Sequence, residues 1–298
     1  MHSVGYNEWN LHMAIEKQID VVWDTDIGRD PDDFLAGCFL LSRPNIRLKA
    51  ITISPGDSDQ VALAKFLLKE TGCGDVPVGT VPDREKDKKS VGGCHLLLMK
   101  YYKVGMSASA DGAGWEILEQ TFKKHPNAIL FTSGPLNNIG DLLRNTSIEV
   151  DLSVSMAGYW PEPGQPLSMP EFNFNGCGWA AREFVESKRF RKRQLVGKNV
   201  THQVMYDDIL HDQLRAAGKT SRPLALAHEL MTQRTGQKKL HDPLAATAIV
   251  NENIFEWQEV VPVKMNHQWG SIPSPGSGIW AATSVDQSAF RGMFVGIK

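Results

Sequence analysis

The chain has 298 residues, 42% of them hydrophobic and 22% charged, which is enough to bury a sizeable core as one large or two ordinary domains. Its 32 Lys and Arg nearly balance 34 Asp and Glu, and a formal net charge of -2 gives no electrostatic footprint for nucleic acid or anionic membrane. No apolar run approaches the roughly 20 residues of a bilayer crossing. The four cysteines show no C-x-x-C spacing and are too few for a disulfide framework.

The opening stretch, MHSVGYNEWNLHMAIEKQ, has no basic start followed by an apolar core, so residues 1–18 read as an N-terminal extension of a cytoplasmic protein. Apolar, branched runs then recur at 19–23, 48–53, 76–78, 128–132 and 152–155, which predicts strands. Helical spacing lies between them at 33–42, 60–71, 115–124 and 136–144. Alternation of this kind predicts an α/β fold with a mostly parallel, Rossmann-like central sheet flanked by helices. In such sheets the active site sits at the C-terminal ends of the strands. Further on, helices are predicted at 178–187, 203–217, 223–234 and 242–250, and strands at 194–200, 259–263, 278–283 and 292–297. Segments 81–93 and 265–277 read as surface loops, and the basic run around KRFRKR as a solvated face. With no linker visible, residues 1–298 read as one domain.

Charge is crowded in one place: five of the nineteen Asp residues fall between Asp24 and Asp33, in VVWDTDIGRDPDDFLAGCFLL. Local structure accounts for three of them. Asp30 can N-cap the following helix, Pro31 suits its first position, and Asp32 and Asp33 complement the helix dipole. Asp24 and Asp26 have no such reason to be there. Carboxylates about 4 Å apart repel by about 4 kcal/mol at an effective dielectric of about 20, against about 0.3 to 1 kcal/mol per charge from the dipole. Repulsion wins unless a cation intervenes, and an oxygen-only donor set points to a hard divalent ion, Ca2+ in preference to Mg2+. An EF-hand fails because its twelfth position is Leu35. A D-x-D phosphatase of the haloacid-dehalogenase type is a weak match, kept as a third reading, because Gly28 stands where that motif has Thr or Val.

DTDIGRDPDD resembles the D-x-D-x-G-x-D-D signature of the inosine-uridine-preferring nucleoside hydrolases, with two extra residues before the last Asp pair. TISPGDSDQ, FTSGPLNNIG, MAGYW, PEFNFNGCGWAA, VTHQ and HDPLAATAIV follow in that family's order, so the resemblance spans about residues 20–250. It implies a Ca2+ held by Asp26, Asp33, the backbone carbonyl of Ser133 and Asp242. Asp32 would bind a ribose hydroxyl, Asp24 would support the shell from behind, and Asp30, in the insertion, has no assigned role. It further implies hydrolysis of the N-glycosidic bond of a ribonucleoside or related N-riboside. A metal-bound water activated by Asp26 would attack, and His241 would protonate the departing base. Glu171 and Asn173 match the ribose-binding loop.

The match departs in the substrate contacts. Asp57 stands where the family has a ribose-gripping Asn, Gln165 occupies another Asn position, and the base-pocket segment H-G-x-x-G-L has only Asp111-Gly112-Ala113-Gly114 as a counterpart. A catalytically silent ribose- or nucleoside-binding protein of the same fold is the alternative these departures leave open. Relatives assemble as homodimers or homotetramers, which the resemblance carries over as an expectation.

Overall fold

The computed structural model describes residues 17–82, 89–161, 164–234 and 237–296. The expected N-terminal extension therefore lies, up to residue 16, outside the described residues. Among the described residues twelve helices flank a ten-stranded sheet of order β11-β10-β12-β7-β6-β5-β1-β2-β3-β4, and a small second sheet pairs β8 (Met205–Tyr206) with β9 (Lys238–Lys239). The central strands are β1 (Ile19–Thr25), β2 (Ile46–Ile53), β3 (Val78–Thr80), β4 (Gly112–Ala113), β5 (Ile129–Thr132), β6 (Val150–Ser155) and β7 (Phe190–Leu195). All of these run parallel to their neighbours. β12 (Ile279–Val285) joins β7 in parallel, while β10 (Phe255–Met265) pairs antiparallel with both β12 and β11 (Gln268–Pro273).

Alternating side chains put the sheet between two apolar cores. Val21, Trp23 and Phe131 face one, with Phe34, Phe39 and Leu67; Val22 and Leu130 face the other, with Ile139 and Phe184. The first core is roofed by α1 (Pro31–Leu41), α2 (Ser58–Glu70), α3 (Gly93–Tyr101), α10 (Arg222–Thr232) and α11 (His241–Val250). The second is covered by α4 (Gly114–Lys124), α5 (Asn137–Asn145) and α7 (Gly178–Glu186).

Several sequence expectations are corrected. Residues 266–273 form a hairpin turn and its returning strand, and only 274–277 keep the expected loop: Asn266 and His267 take φ of 49° and 64°, the two-residue turn that matches strand twist, without the Asn-Gly pair that would signal it. Residues 292–295 belong to the helix α12 (Gln287–Val295), not to a strand, and residue 297 is not described. The expected strand at 194–200 starts earlier, as β7, and gives way to α8 (Lys198–Thr201). Consequently the last four residues of the basic run, 190–193, are strand. Arg193 is buried and caps the end of α7 through Nη1, which donates to the carbonyls of Phe184, Val185 and Ser187 at 2.7, 3.0 and 2.8 Å. The expected helix at 203–217 begins only at Asp208, because Met205–Tyr206 is strand β8. α3 and the short α6 (Phe172–Gly176) carry no helical signal that the sequence reading caught.

Candidate functional site

Register sets the base of the site. Asp24 lies level with Thr52 of β2 and Thr132 of β5, and Thr132 with Ser155 of β6, so a polar row crosses the sheet on one face near its C-terminal edge. Thr52 Oγ1 and Asn138 Nδ2 donate to Asp24 Oδ1 at 2.6 and 2.9 Å, while Asp24 Oδ2 is buried with no hydrogen-bond partner. Burial, eased by these two donors, raises the Asp24 carboxyl to about 7.

Beyond β1 the chain turns into α1. Pro31 opens that helix and Asp32 and Asp33 occupy its first turn. Asp30 occupies the N-cap position, but its side chain makes no capping hydrogen bond; the carboxylate reaches Lys238 at 2.5 Å instead. From β5, Ser133 returns over the end of β1, where its N–H donates to the Asp24 carbonyl at 2.8 Å. Its hydroxyl donates to Asp33 Oδ1 at 2.7 Å and accepts from Trp23 Nε1 at 2.9 Å. Thr25 Oγ1 donates to the same Asp33 oxygen at 2.5 Å. Asp242 enters from the first turn of α11.

The result is a buried group of carboxylates: one oxygen each from Asp32, Asp33 and Asp242 lies within 4.8 Å of the others. Oxygens on opposite sides of one Ca2+, each bonded at about 2.4 Å, stand about 4.8 Å apart, so a single such ion can sit among these carboxylates without all three having to bind it. Asp26 is outside that trio but borders it. Burial, then Asp33 and Asp32, push its carboxyl well above the ordinary range. The same desolvation, opposed by Lys238, puts Asp32 at about 8; opposed by Thr25 and Ser133, it puts Asp33 at about 6. Asp242 is raised by burial and by Asp32, Asp33 and Asp26. Burial and mutual repulsion of this kind are what a bound cation would relieve.

Gln60, which the sequence reading passed over, ties this loop down. Its Nε2 donates to the Ile27 and Asp26 carbonyls at 2.9 and 3.2 Å, and its Oε1 accepts from the N–H groups of Gly56 and Asp57 at 3.1 and 3.0 Å. The signal was present as Gln60 three residues after Asp57, the spacing of a capping box. Asp57 itself is buried, accepts from Ser90 Oγ through Oδ2, and keeps Oδ1 without a partner. Asp111, the nearest counterpart of the base-pocket segment, is structural. It pairs with Lys65 at 2.7 Å and accepts from the Val78 N–H at 2.8 Å, and Gly112–Ala113 is strand β4.

Asn173 Nδ2 donates to the carbonyls of Ser133 and Met156 at 3.1 and 2.7 Å, so it contacts the carbonyl that the resemblance gives to the metal. Glu171 N-caps α6, accepting from the N–H groups of Asn173 and Phe174, and burial raises it to about 7. Gln165 is exposed on the loop before α6. His241 opens α11, with Nδ1 2.7 Å from Thr201 Oγ1 and its ring 5.4 Å from that of His202. Burial, with Lys238 and His202, lowers it to about 3, so its imidazole is neutral. Lys238, in β9 (Lys238–Lys239), is a second residue the sequence reading did not mark.

The sequence model of the inosine-uridine preferring nucleoside hydrolases matches residues 21–292. An uncharacterized protein of Aquifex aeolicus (strain VF5) is 28% identical over 269 residues, covering 84% of this chain and 90% of that one. Among solved structures, the fold is similar to a plant nucleoside hydrolase at a TM-score of 0.71 and 20% identity, covering 93% of this chain and 97% of that chain. It is likewise similar to the inosine-uridine preferring nucleoside hydrolase of Bacillus anthracis, with a TM-score of 0.74, 15% identity, and 94% and 99% of the two chains covered.

Proposed function

Because the chain belongs to the inosine-uridine preferring nucleoside hydrolase family, we propose that it hydrolyses the N-glycosidic bond of a ribonucleoside or related N-riboside in a Ca2+-dependent reaction, releasing free ribose and the base. The observation that carries this reading is the buried carboxylate trio of Asp32, Asp33 and Asp242 with Asp26 at its border. Asp26, Asp33, Asp242 and the Ser133 carbonyl would hold the ion. Bound there, Ca2+ supplies Lewis-acid polarisation of the attacking water and a fixed point for the sugar hydroxyls.

Asp26 accepts the water's proton. Burial, with Asp33 and Asp32 beside it, raises its proton affinity above that of an exposed aspartate, which favours proton acceptance. Asp32 accepts a hydrogen bond from a ribose hydroxyl, with Asn173 and Glu171 closing that side and Asp57 and Gln165 as the altered contacts. Asp24 backs the group from below. The remaining negative charge favours the positive character that develops on the sugar ring as the bond to the base breaks. His241, held by Thr201, stands as the leaving-group donor. Being neutral, it offers a hydrogen bond to the departing base instead of a standing positive charge.

This reading extends to the whole chain as one domain that works in the cytoplasm, in purine or pyrimidine salvage, and assembles as a homodimer or homotetramer. The exposed apolar side chains Leu96, Leu97 and Tyr101 on α3 support self-association, which light scattering tests. Among the described residues no helix is long and apolar enough to cross a membrane. The decisive experiment measures reducing-sugar release from a panel of common and modified nucleosides, alongside the metal content of the purified protein. Sugar release that disappears with chelator and returns with Ca2+ is expected. A nucleoside that binds in calorimetry without any release would make the protein the silent binder instead.

A further inference from the structure

The two residues that lengthen the first acidic motif bring in Asp30, and neither it nor Lys238 has a part in the reaction as described so far. The fold joins them. Lys238 is 6% exposed, and its Nζ stands 2.5 Å from Asp30 Oδ1 and 3.2 Å from Asp32 Oδ1. The side chain of Asp30 is 55% exposed and that of Asp32 only 5%, so the ammonium is gripped from the solvent side by one carboxylate and from inside the pocket by the other. An ammonium this buried persists only with such partners.

Of the three carboxylates that converge, Asp32 is the one with a cation in contact. Asp33 receives neutral hydroxyl donors from Thr25 and Ser133, and Lys238 reaches Asp242 only through space. A divalent ion and an ammonium repel each other, so the oxygen that Lys238 holds is a poor third ligand for a metal. It remains a good acceptor for a sugar hydroxyl. We propose that Lys238, tethered by Asp30, is a positioning residue that commits Asp32 to the sugar and keeps it out of the metal's shell. This role rests on the metal and sugar assignments above, and it gives the inserted Asp30 a purpose: it anchors the lysine.

The test measures binding, not turnover. Chelator-stripped wild type, K238M, K238R and D30N are titrated calorimetrically with Ca2+, and the Ca2+-saturated proteins with 1,4-anhydro-D-ribitol, a neutral ribose mimic. K238M should bind Ca2+ at least fivefold more tightly, since the competing charge is gone and Asp32 is released to the ion. It should bind the sugar mimic at least tenfold more weakly. D30N, altered on the exposed side and safe for folding, should move both affinities in the same directions by smaller factors, and K238R should stay within threefold of wild type. In a D32N background, K238M should change sugar affinity less than twofold, because the lysine acts through Asp32. An unchanged or weaker Ca2+ affinity in both K238M and D30N overturns the role, as does unchanged sugar affinity. A wild-type protein that takes up no Ca2+ refutes the metal assignment itself, and the lysine's role falls with it.

Discussion

At the scale of single residues, the acidic cluster is tolerable only because each carboxylate has its own device. Asp24 has Thr52 and Asn138, Asp33 has Thr25 and Ser133, and Asp32 has Lys238, while Asp26, at the border of the group, is raised by burial and by Asp33 and Asp32. A group so raised at the edge of a pocket is suited to take a proton. Replacing Asp26 with Ala should lower kcat by about 10^3, within the usual range for a general base, and sugar release measured under saturating Ca2+ checks this. Full activity in that variant would remove the assignment. Glu171 gives a prediction in pH. Its folded value near 7 lies above the ordinary 4.5, so the fold favours the protonated acid. The stability from that proton is fully present below pH 4.5 and is lost as pH rises through 7. Glu171→Gln, which keeps an acceptor for the α6 cap, should therefore gain in Tm relative to wild type between pH 4.5 and pH 7.5. A Tm difference flat across that range would show that Glu171 is not held protonated.

Elements explain why those residues meet. β1 lies between β2 and β5, so the loops that follow β1 and β5 leave the sheet side by side, and Gly134 permits their contact. A Cβ at Gly134 would stand 2.6 Å from the Asp26 amide nitrogen and 2.8 Å from the Thr25 carbonyl carbon, both backbone atoms. Gly134→Ala should cost about 1 to 3 kcal/mol and weaken Ca2+ binding together with stability, because Ser133 and Asp26 would be forced apart. Denaturant unfolding and calorimetry read the two effects, and an Ala variant with native stability would refute the close approach. Much of this was legible in the letters: apolar runs followed by DTD and by TSGP locate β1, β5 and their loops, and Pro31 fixes where α1 begins. What stayed hidden depends on partners distant in sequence. Asp30 looks like a helix cap until Lys238, 208 positions later by the numbering, takes its carboxylate. Arg193 looks like solvated charge until the carbonyls at the end of α7 surround it. The hairpin of β10 and β11 escaped notice because prolines and glycines there suggest a loop, whereas an edge strand tolerates them.

For the whole molecule, the near-neutral balance of charges conceals a separation. Buried acids from β1, α1 and α11 collect at one end of the sheet, where burial and mutual repulsion cost free energy and raise their proton affinities. An ion that binds the folded chain and not the unfolded one recovers part of it. At a free Ca2+ concentration 100 times its dissociation constant, linkage gives about 2.7 kcal/mol of added stability. For a chain of this size each kcal/mol raises Tm by about 2 °C, so Ca2+ against chelator should shift the transition upward by roughly 5 °C. The shift should shrink as pH falls from 8 toward 5, since Asp33, at about 6, then carries a proton that the ion must displace. Scanning fluorimetry across that pH range, with Mg2+ in parallel, decides it: a Ca2+ shift independent of pH would place the stabilising ion elsewhere than among these buried carboxylates.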